Sequence, residues 1–188
     1  MKIFQLGIKE DDSAYIAGKK KLTNQISALC AFIGFFYSFF LYVHYPQVVV
    51  YPISLFFVSA AMLLLNHLGL FQVARFITSF QMLIHASLFH ASIIPASDFL
   101  LMPFFSSMIA MTIIPWVLYD FQEIVKLVVT SIICLGLIFS QRILNRQLEL
   151  EVDPTFYSES YLNPMTYAFA VAIGLILLTM IKTDKSSK

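Results

Sequence analysis

Long apolar runs dominate this sequence. Six of them, each about 20 residues long, occupy 24–44, 48–68, 73–94, 99–119, 124–143 and 162–181. The hydrocarbon core of a bilayer is about 30 Å thick, so a helix that rises 1.5 Å per residue needs about 20 apolar residues to cross it. Only 12% of the residues are charged, which is about half the share in a soluble domain. The sequence therefore predicts an all-α polytopic membrane protein, a bundle of six transmembrane helices.

Positive charges indicate which side of the membrane each connection faces, because cytoplasmic loops are enriched in Lys and Arg. If the six runs all cross, one side has only Arg142 and Arg146. Ten basic residues fall on the other side: Lys2, Lys9, Lys19, Lys20, Lys21, Arg75, Lys126, Lys182, Lys185 and Lys188. This division predicts that both termini are cytoplasmic. The net charge of +1 gives no basis for nucleic-acid binding, which needs clustered basic residues on an exposed face.

Residues 1–23 precede the predicted transmembrane domain at 24–181, and a cytoplasmic tail at 182–188 follows it. The first segment has no apolar core of signal-peptide length, so we expect the first run to be retained as a span. Ser13 is a possible N-cap for a helix. We interpret 1–23 as an interfacial segment whose lysine cluster at 19–21 lies against the anionic lipids of the inner leaflet.

The only long connection is the predicted outer loop at 141–161. Its first residues, QRILNRQLELE, keep a helical composition, so we expect the fifth helix to project beyond the membrane by a turn or two. Phe156, Tyr157 and Tyr161 follow. These aromatic side chains fit either a belt at the lipid headgroups or a lid over a cavity.

The third run holds the largest set of polar residues within an apolar stretch. At about 100° per residue, Thr78, Gln81, His85 and Ser92 fall within about 60° of one another on a helical wheel. Polar groups in hydrocarbon need partners, so this face should point into the bundle. Two interpretations remain open: the four residues brace neighbouring helices, or they bind the polar head of a ligand. His90 lies about 120° from Thr78 on the same wheel, so we place it on a different surface.

A second pattern in the spans consists of small residues. Ser27, Ala31, Gly34 and Ser38 lie within about 60° on the first helix, and such a stripe lets another helix approach closely. We therefore expect this face to be buried against protein. Gly136 with Ser140 is a weaker example of the same spacing in the fifth span.

Signs of catalysis, metal binding or redox chemistry are missing from the sequence. The histidines do not converge as metal or haem ligands would, and Cys30 and Cys134 lie in apolar runs, where a thiol usually behaves as a small hydrophobe. No nucleophile elbow, zinc helix or phosphate-binding glycine loop is present. We expect no cofactor, no metal and no catalytic residue in this chain.

Four strings resemble the N-terminal six-helix sensory domains of bacterial sensor histidine kinases and class III adenylyl cyclases, including the receptor part of certain quorum-sensing kinases. The strings are IFQLGI, KKKLTNQIS, LLLNHLGLFQVAR and LLMPFFSSMIAMTIIPWVLYDFQE, in this order between residues 3 and 123. The last two spans match only as hydrophobic runs. In such receptors the sixth helix continues into a cytoplasmic kinase or cyclase domain. We therefore expect this chain to be either a receptor domain excised from such a protein or a stand-alone relative that signals through a partner.

The resemblance implies a sensor in the bacterial cytoplasmic (inner) membrane that binds a small lipophilic ligand and works as a homodimer or with a cytoplasmic signalling partner. A helix displacement in the first and sixth spans would carry the signal. Ligand binding by Thr78, Gln81, His85 and Ser92 rests on the helical wheel alone. The alternatives are a substrate-binding subunit of a small-molecule transporter, a structural subunit of a membrane complex and a lipid-modifying enzyme.

Overall fold

The computed structural model describes residues 2–93 and 102–148, together with 171, 174 and 175. All regular structure in these residues is helical, with no strand among them. Short 3₁₀ helices lie at Lys2–Gln5, Pro46–Val48 and Phe121–Glu123. The α-helices are α1 (Ala14–His44), α2 (Val50–His67), α3 (Phe71–Thr78), α4 (Gln81–Ile93), α5 (Met102–Met111), α6 (Ile114–Leu118), α7 (Ile124–Phe139) and α8 (Gln141–Leu148).

Four helical stretches within the described residues are long and apolar enough to cross a membrane. They are Ala14–His44, Pro46–His67, Phe71–Ile93 and Phe121–Phe139, which match the predicted first, second, third and fifth spans. The predicted fourth span contains a shorter apolar helical stretch at Ser106–Leu118, which includes parts of both α5 and α6. The predicted sixth span lies outside the described residues, apart from three helical positions at 171, 174 and 175.

The first helix begins at Ala14, well inside the segment that we interpreted as interfacial. Ser13 is its N-cap, as predicted, because its Oγ accepts a hydrogen bond of 3.3 Å from the Ile16 amide. That bond satisfies one of the amides that a helix start leaves without a partner. Hydropathy places the start of this helix too late, because its first turns are rich in polar residues.

Two predicted spans are interrupted. The third consists of α3 and α4, separated by a turn at Ser79 and Phe80, where the Ser79 Oγ donates to the Phe76 carbonyl at 2.6 Å. The fourth is broken between α5 and α6 by a turn at Thr112 and Ile113, just before Pro115. Proline has no amide hydrogen, so it favours the first turn of a new helix over the continuation of an old one.

The fifth helix continues beyond its predicted end, as its composition predicted. A single residue, Ser140, caps α7, and α8 then runs to Leu148. The Leu144 amide donates to the Ser140 carbonyl at 3.0 Å, so the backbone hydrogen bonding of the two helices is almost unbroken across the junction.

The chain divides into two compact units, with the boundary after Met82. In the first unit, α1 and α2 pack closely against each other at Gly34. A Cβ atom added to Gly34 would lie 2.7 Å from both the Pro52 carbonyl oxygen and the Phe56 amide nitrogen. The predicted burial of Gly34 and Ser27 is confirmed, whereas Ala31 and Ser38 are half-buried. The absence of a side chain at position 34 is what lets the two backbones touch.

Candidate functional site

Two of the four predicted site residues lie in the first unit and hydrogen-bond to neighbouring helices. The Thr78 Oγ1 lies 3.0 Å from the Ser27 Oγ of α1, and the Gln81 Nε2 donates to the Ser59 Oγ of α2 at 3.2 Å. Thr78, Gln81 and their partners Ser27 and Ser59 are all buried. The predicted inward direction of Thr78 and Gln81 is therefore confirmed. Their bonds are those that the bracing interpretation expects.

The other two predicted site residues, His85 and Ser92, lie in the second unit. His85 is half-buried, and Ser92 is buried with its Oγ donating to the Leu88 carbonyl of its own helix at 2.9 Å. Because the turn at Ser79 and Phe80 separates Thr78 from α4, one helical wheel does not describe all four residues. Ligand binding by them stays a prediction.

A different polar cluster occupies the second unit. It consists of Ser87 and His90 on α4 with Gln141 and Asn145 on α8, and we call it the α4–α8 polar set. The Gln141 Nε2 is its centre, at 3.1 Å from the Ser87 carbonyl oxygen, 2.9 Å from the His90 Nδ1 and 2.8 Å from the Asn145 Oδ1. All four residues are buried. The set thus fixes α8 against α4 through polar contacts.

The hydrogen-bond chemistry assigns the orientation of each group in this set. A backbone carbonyl only accepts, so the Ser87 carbonyl requires that Gln141 turns its NH₂ group towards it. The same NH₂ group faces the His90 Nδ1, which must then be the acceptor. This assigns to His90 the neutral tautomer with its hydrogen on Nε2. The Asn145 Oδ1 likewise accepts, so three acceptors share the two hydrogens of this NH₂ group, and the Asn145 amide nitrogen points away from Gln141.

His90 aside, three polar atoms of the set have no hydrogen-bond partner within the described residues: the Gln141 Oε1, the Asn145 Nδ2 and the Ser87 Oγ. An unsatisfied buried polar atom costs about 1–3 kcal/mol. One is an acceptor, one is a donor and the hydroxyl can be either. Such atoms are satisfied by a bound ligand or by buried water.

Sequence reasoning missed this set for identifiable reasons. It placed His90 on a separate surface, and it assigned Gln141 and Asn145 to an outer loop. The available signal was the spacing of Gln141 and Asn145, which are four residues apart and therefore on one face of a helix. In a helix that continues a membrane span, two amides on one face indicate a polar contact with protein.

A second polar network joins the N-terminal segment to the first unit. The Lys20 Nζ lies 2.9 and 2.7 Å from the two carboxylate oxygens of Asp12, and it donates to the Gly7 carbonyl at 2.8 Å. The Asn24 Nδ2 donates to the Leu6 carbonyl at 2.9 Å, and its Oδ1 accepts from Asn66 of α2 at 2.7 Å. The network thus holds residues 4–12 against the ends of α1 and α2.

This network shows how much of the lysine cluster is exposed. Lys19 and Lys20 are buried, and only Lys21 is exposed to the surroundings. Lys20 is paired with Asp12 of the same chain at 2.7 Å, and contact of the cluster with the lipid headgroups stays a prediction. Sequence counting could not show this, because the orientation rule counts basic residues without regard to their partners.

The Asp12–Lys20 pair predicts a pH dependence of stability. The hydrogen bond from the Lys20 ammonium, with a second from the Lys9 amide, lowers the pKa of the Asp12 carboxyl below its usual value of 3.8. A depressed pKa stabilises the fold above the unfolded-state value, and this stabilisation is lost as the pH falls through the folded-state pKa. We expect Asp12→Asn to melt below the wild type at neutral pH, and the difference to shrink as the pH falls below about 4.

Thermal unfolding in detergent across this pH range measures the difference. Asp11→Asn, which removes an exposed carboxylate next door, is the matched control and should follow the wild type. A gap between Asp12→Asn and wild type that stays constant down to the lowest pH would contradict the ion pair.

Metal-ligand groups, cysteines and comparisons with known proteins point to no further site. Within the described ranges, no three His, Cys, Asp or Glu side chains come together as metal ligands. Cys30 and Cys134 are buried free thiols. The chain matches no protein-family model, no curated protein and no solved structure.

Proposed function

We propose that this protein is a membrane receptor domain that binds a small lipophilic ligand within its helices and relays binding to a cytoplasmic output domain or partner. The observation that carries the proposal is the α4–α8 polar set, with three buried atoms that lack partners among the described residues. A network with only a bracing role is expected to satisfy its own atoms, because a partly satisfied network is less stable than an apolar contact.

The open atoms suggest how the ligand is held. The Asn145 Nδ2 would donate to an acceptor on the ligand, the Gln141 Oε1 would accept from a donor, and the Ser87 hydroxyl would do either. The apolar part of the ligand would remain among the apolar side chains of the spans. Because the set contains no ionised side chain, a neutral head fits it better than a charged one.

The position of the set supports a route for the relay of the signal. A ligand that bridges α4 and α8 changes the spacing that is most favourable between them, and α8 is joined to α7 through Ser140 alone. A change at α8 would therefore move a membrane-spanning helix. By the resemblance to sensor domains, we extend the proposal to transmission through the first and sixth spans of a homodimer, with a kinase-like or cyclase-like output.

Replacement of the α4–α8 polar set tests the proposal. The triple variant His90→Phe, Gln141→Leu and Asn145→Leu removes both partners of each side-chain to side-chain contact in the set, and such a change can be nearly neutral for stability. We expect the wild type, gently extracted, to retain a small molecule in native mass spectrometry, and the triple variant to fold without it. Gln147→Leu, on the exposed face of α8, is the control and should keep the ligand.

Two outcomes of this experiment would contradict the proposal. If the triple variant retains the same bound mass, the site is elsewhere. If wild type retains none and the variant is equally stable, the set holds only water and braces the helices. Gln81→Leu with His85→Leu, in the same assay, tests the face predicted from the helical wheel.

We further propose six spans with both termini on the cytoplasmic side of a bacterial cytoplasmic membrane. The distribution of ten basic residues against two supports it. Single cysteines at 10 and 186 should resist a membrane-impermeant thiol reagent in intact cells, and a cysteine at 150 should react. The buried native thiols need not be removed. A reaction at 186 from outside would mean that the number of spans is odd.

A further inference from the structure

Two exposed aromatic side chains lie together at the turn that joins α6 to α7, within the second unit. Trp116 of α6 is 55% exposed, and Phe121 of the turn is 76% exposed. Their ring centroids are 6.3 Å apart, in an edge-to-face contact. Leu118 and Tyr119, which lie between them in the sequence, are buried. The turn therefore packs on the protein with one side and presents the aromatic pair on the other.

The exposed apolar surface of α7 continues directly from this pair. Phe121 is the first residue of the stretch Phe121–Phe139, which is long and apolar enough to cross a membrane. Ile124, Val125 and Val128 follow it, and all three are exposed. Exposed apolar side chains on a membrane-spanning helix face lipid. The aromatic pair thus lies where the lipid-facing surface of α7 begins.

Charged side chains at the same turn indicate its depth in the membrane. Asp120 lies in the turn, and the Glu123 Oε1 and the Lys126 Nζ form an ion pair at 3.0 Å where α7 starts. Ionised groups are costly in hydrocarbon, and long side chains near the end of a span reach to the interface. The hydrocarbon core therefore begins close to this turn, which puts Trp116 and Phe121 at the level of the lipid headgroups.

From this placement we infer that Trp116 and Phe121 bind the headgroup layer of the bilayer and hold the α6–α7 turn at that depth. The indole has a large apolar face and one N–H donor, which suits the boundary between acyl chains and the ester and phosphate oxygens of the headgroups. Phe121 adds apolar area beside it. The contact needs no anionic lipid, because ester and phosphate oxygens that accept from the indole are present in zwitterionic phospholipids too. This inference does not depend on the proposed receptor function.

Quenching of tryptophan fluorescence in vesicles tests the inference, because Trp116 is the only tryptophan in the sequence. The wild-type protein is reconstituted in phosphatidylcholine whose acyl chains carry bromine either near the headgroup or near the terminal methyl group. We expect bromine near the headgroup to quench Trp116 about twofold or more better than bromine near the methyl group, since an interfacial indole lies closer to it. Brominated phosphatidylglycerol should give the same ratio.

A matched variant calibrates the depth. Trp116→Phe with Ile132→Trp moves the single tryptophan to an exposed position of α7. Ile132 lies about 12 Å along the helix from Ile124, near the middle of a hydrocarbon core about 30 Å thick. This variant should show the opposite ratio.

The other outcomes would overturn the inference. An equal ratio for the two proteins, or stronger quenching of Trp116 by bromine near the methyl group, would place the turn inside the span. Weak quenching of Trp116 by both lipids would mean that no lipid covers it. Strong quenching by aqueous acrylamide would then place the pair in water, and weak quenching by acrylamide would place it against a protein partner or a second copy of the chain.

Discussion

Gly7→Ala is expected to detach the N-terminal segment and to destabilise the first unit strongly, whereas Gly69→Ala is expected to be mild. Both glycines have a positive φ, 73° and 86°, so alanine is strained by about 1 kcal/mol at either position. They differ in their surroundings. An added Cβ at Gly7 would lie 2.1 Å from the Asn66 carbonyl oxygen, while at Gly69 nothing lies within 4 Å.

The obstacle at Gly7 is backbone, which cannot move without disturbing α2. Relief of the clash would lift the segment away and break the bonds that the Gly7 and Leu6 carbonyls accept from Lys20 and Asn24. The broken bonds and the backbone strain together should lower the free energy of unfolding by about 3 kcal/mol or more.

Thermal unfolding in detergent and limited trypsin digestion check this expectation. Gly7→Ala should melt well below Gly69→Ala and be cleaved faster after the exposed Lys9. Equal melting temperatures for the two variants would mean that the N-terminal segment does not pack on Asn66.

Gly34→Leu is expected to prevent the close packing of α1 on α2, while Gly136→Leu leaves the fold intact. An added Cβ at Gly34 already approaches two backbone atoms, the Pro52 oxygen and the Phe56 nitrogen, to 2.7 Å. The branched end of leucine would force the helices apart along their whole contact. Gly136 has open space around it, and leucine there would only enlarge the exposed apolar face of α7.

Size-exclusion profiles and melting temperatures of the two variants separate these outcomes. For Gly34→Leu we expect either aggregated protein or a free energy of unfolding that is lower by at least about 3 kcal/mol. The reason is that the extra volume meets backbone and not a flexible side chain. For Gly136→Leu we expect a monodisperse profile and an unchanged or higher melting temperature. Normal behaviour of Gly34→Leu would show that α1 and α2 are not in contact there.

Four of the predicted spans are confirmed as helices long and apolar enough to cross a membrane, and the sequence was sufficient for these because a long apolar run is a local feature. About 20 apolar residues in a row must cross or be buried, whatever the rest of the chain does. The start of α1 at Ala14 was not predictable in the same way. Its first turns contain three lysines, and two of these are buried; the partner of Lys20 is Asp12, eight residues earlier.

The candidate site shows the same limit. A helical wheel correctly turned Thr78 and Gln81 inwards, because direction follows from position along one helix. It could not supply their partners, Ser27 and Ser59, because pairing depends on how helices pack. The contact between His90 and Gln141 joins residues 51 positions apart, and nothing in the local pattern around either residue indicates the other.

On α8 two polar residues are buried and an apolar residue is exposed, and this arrangement changes which mutations the helix tolerates. In a helix of a soluble protein, Ile143 would be the intolerant position, and Gln141 and Asn145 would accept most replacements. Here Gln141 and Asn145 are buried and Ile143 is exposed. A saturation scan of the helix should accept any aliphatic or aromatic residue at 143 and reject a charge there. At 141 and 145 the scan should reject single replacements by residues of similar size that lack the amide group, including Gln141→Met. A predictor of variant effects trained on soluble helices would rank these three positions in the reverse order.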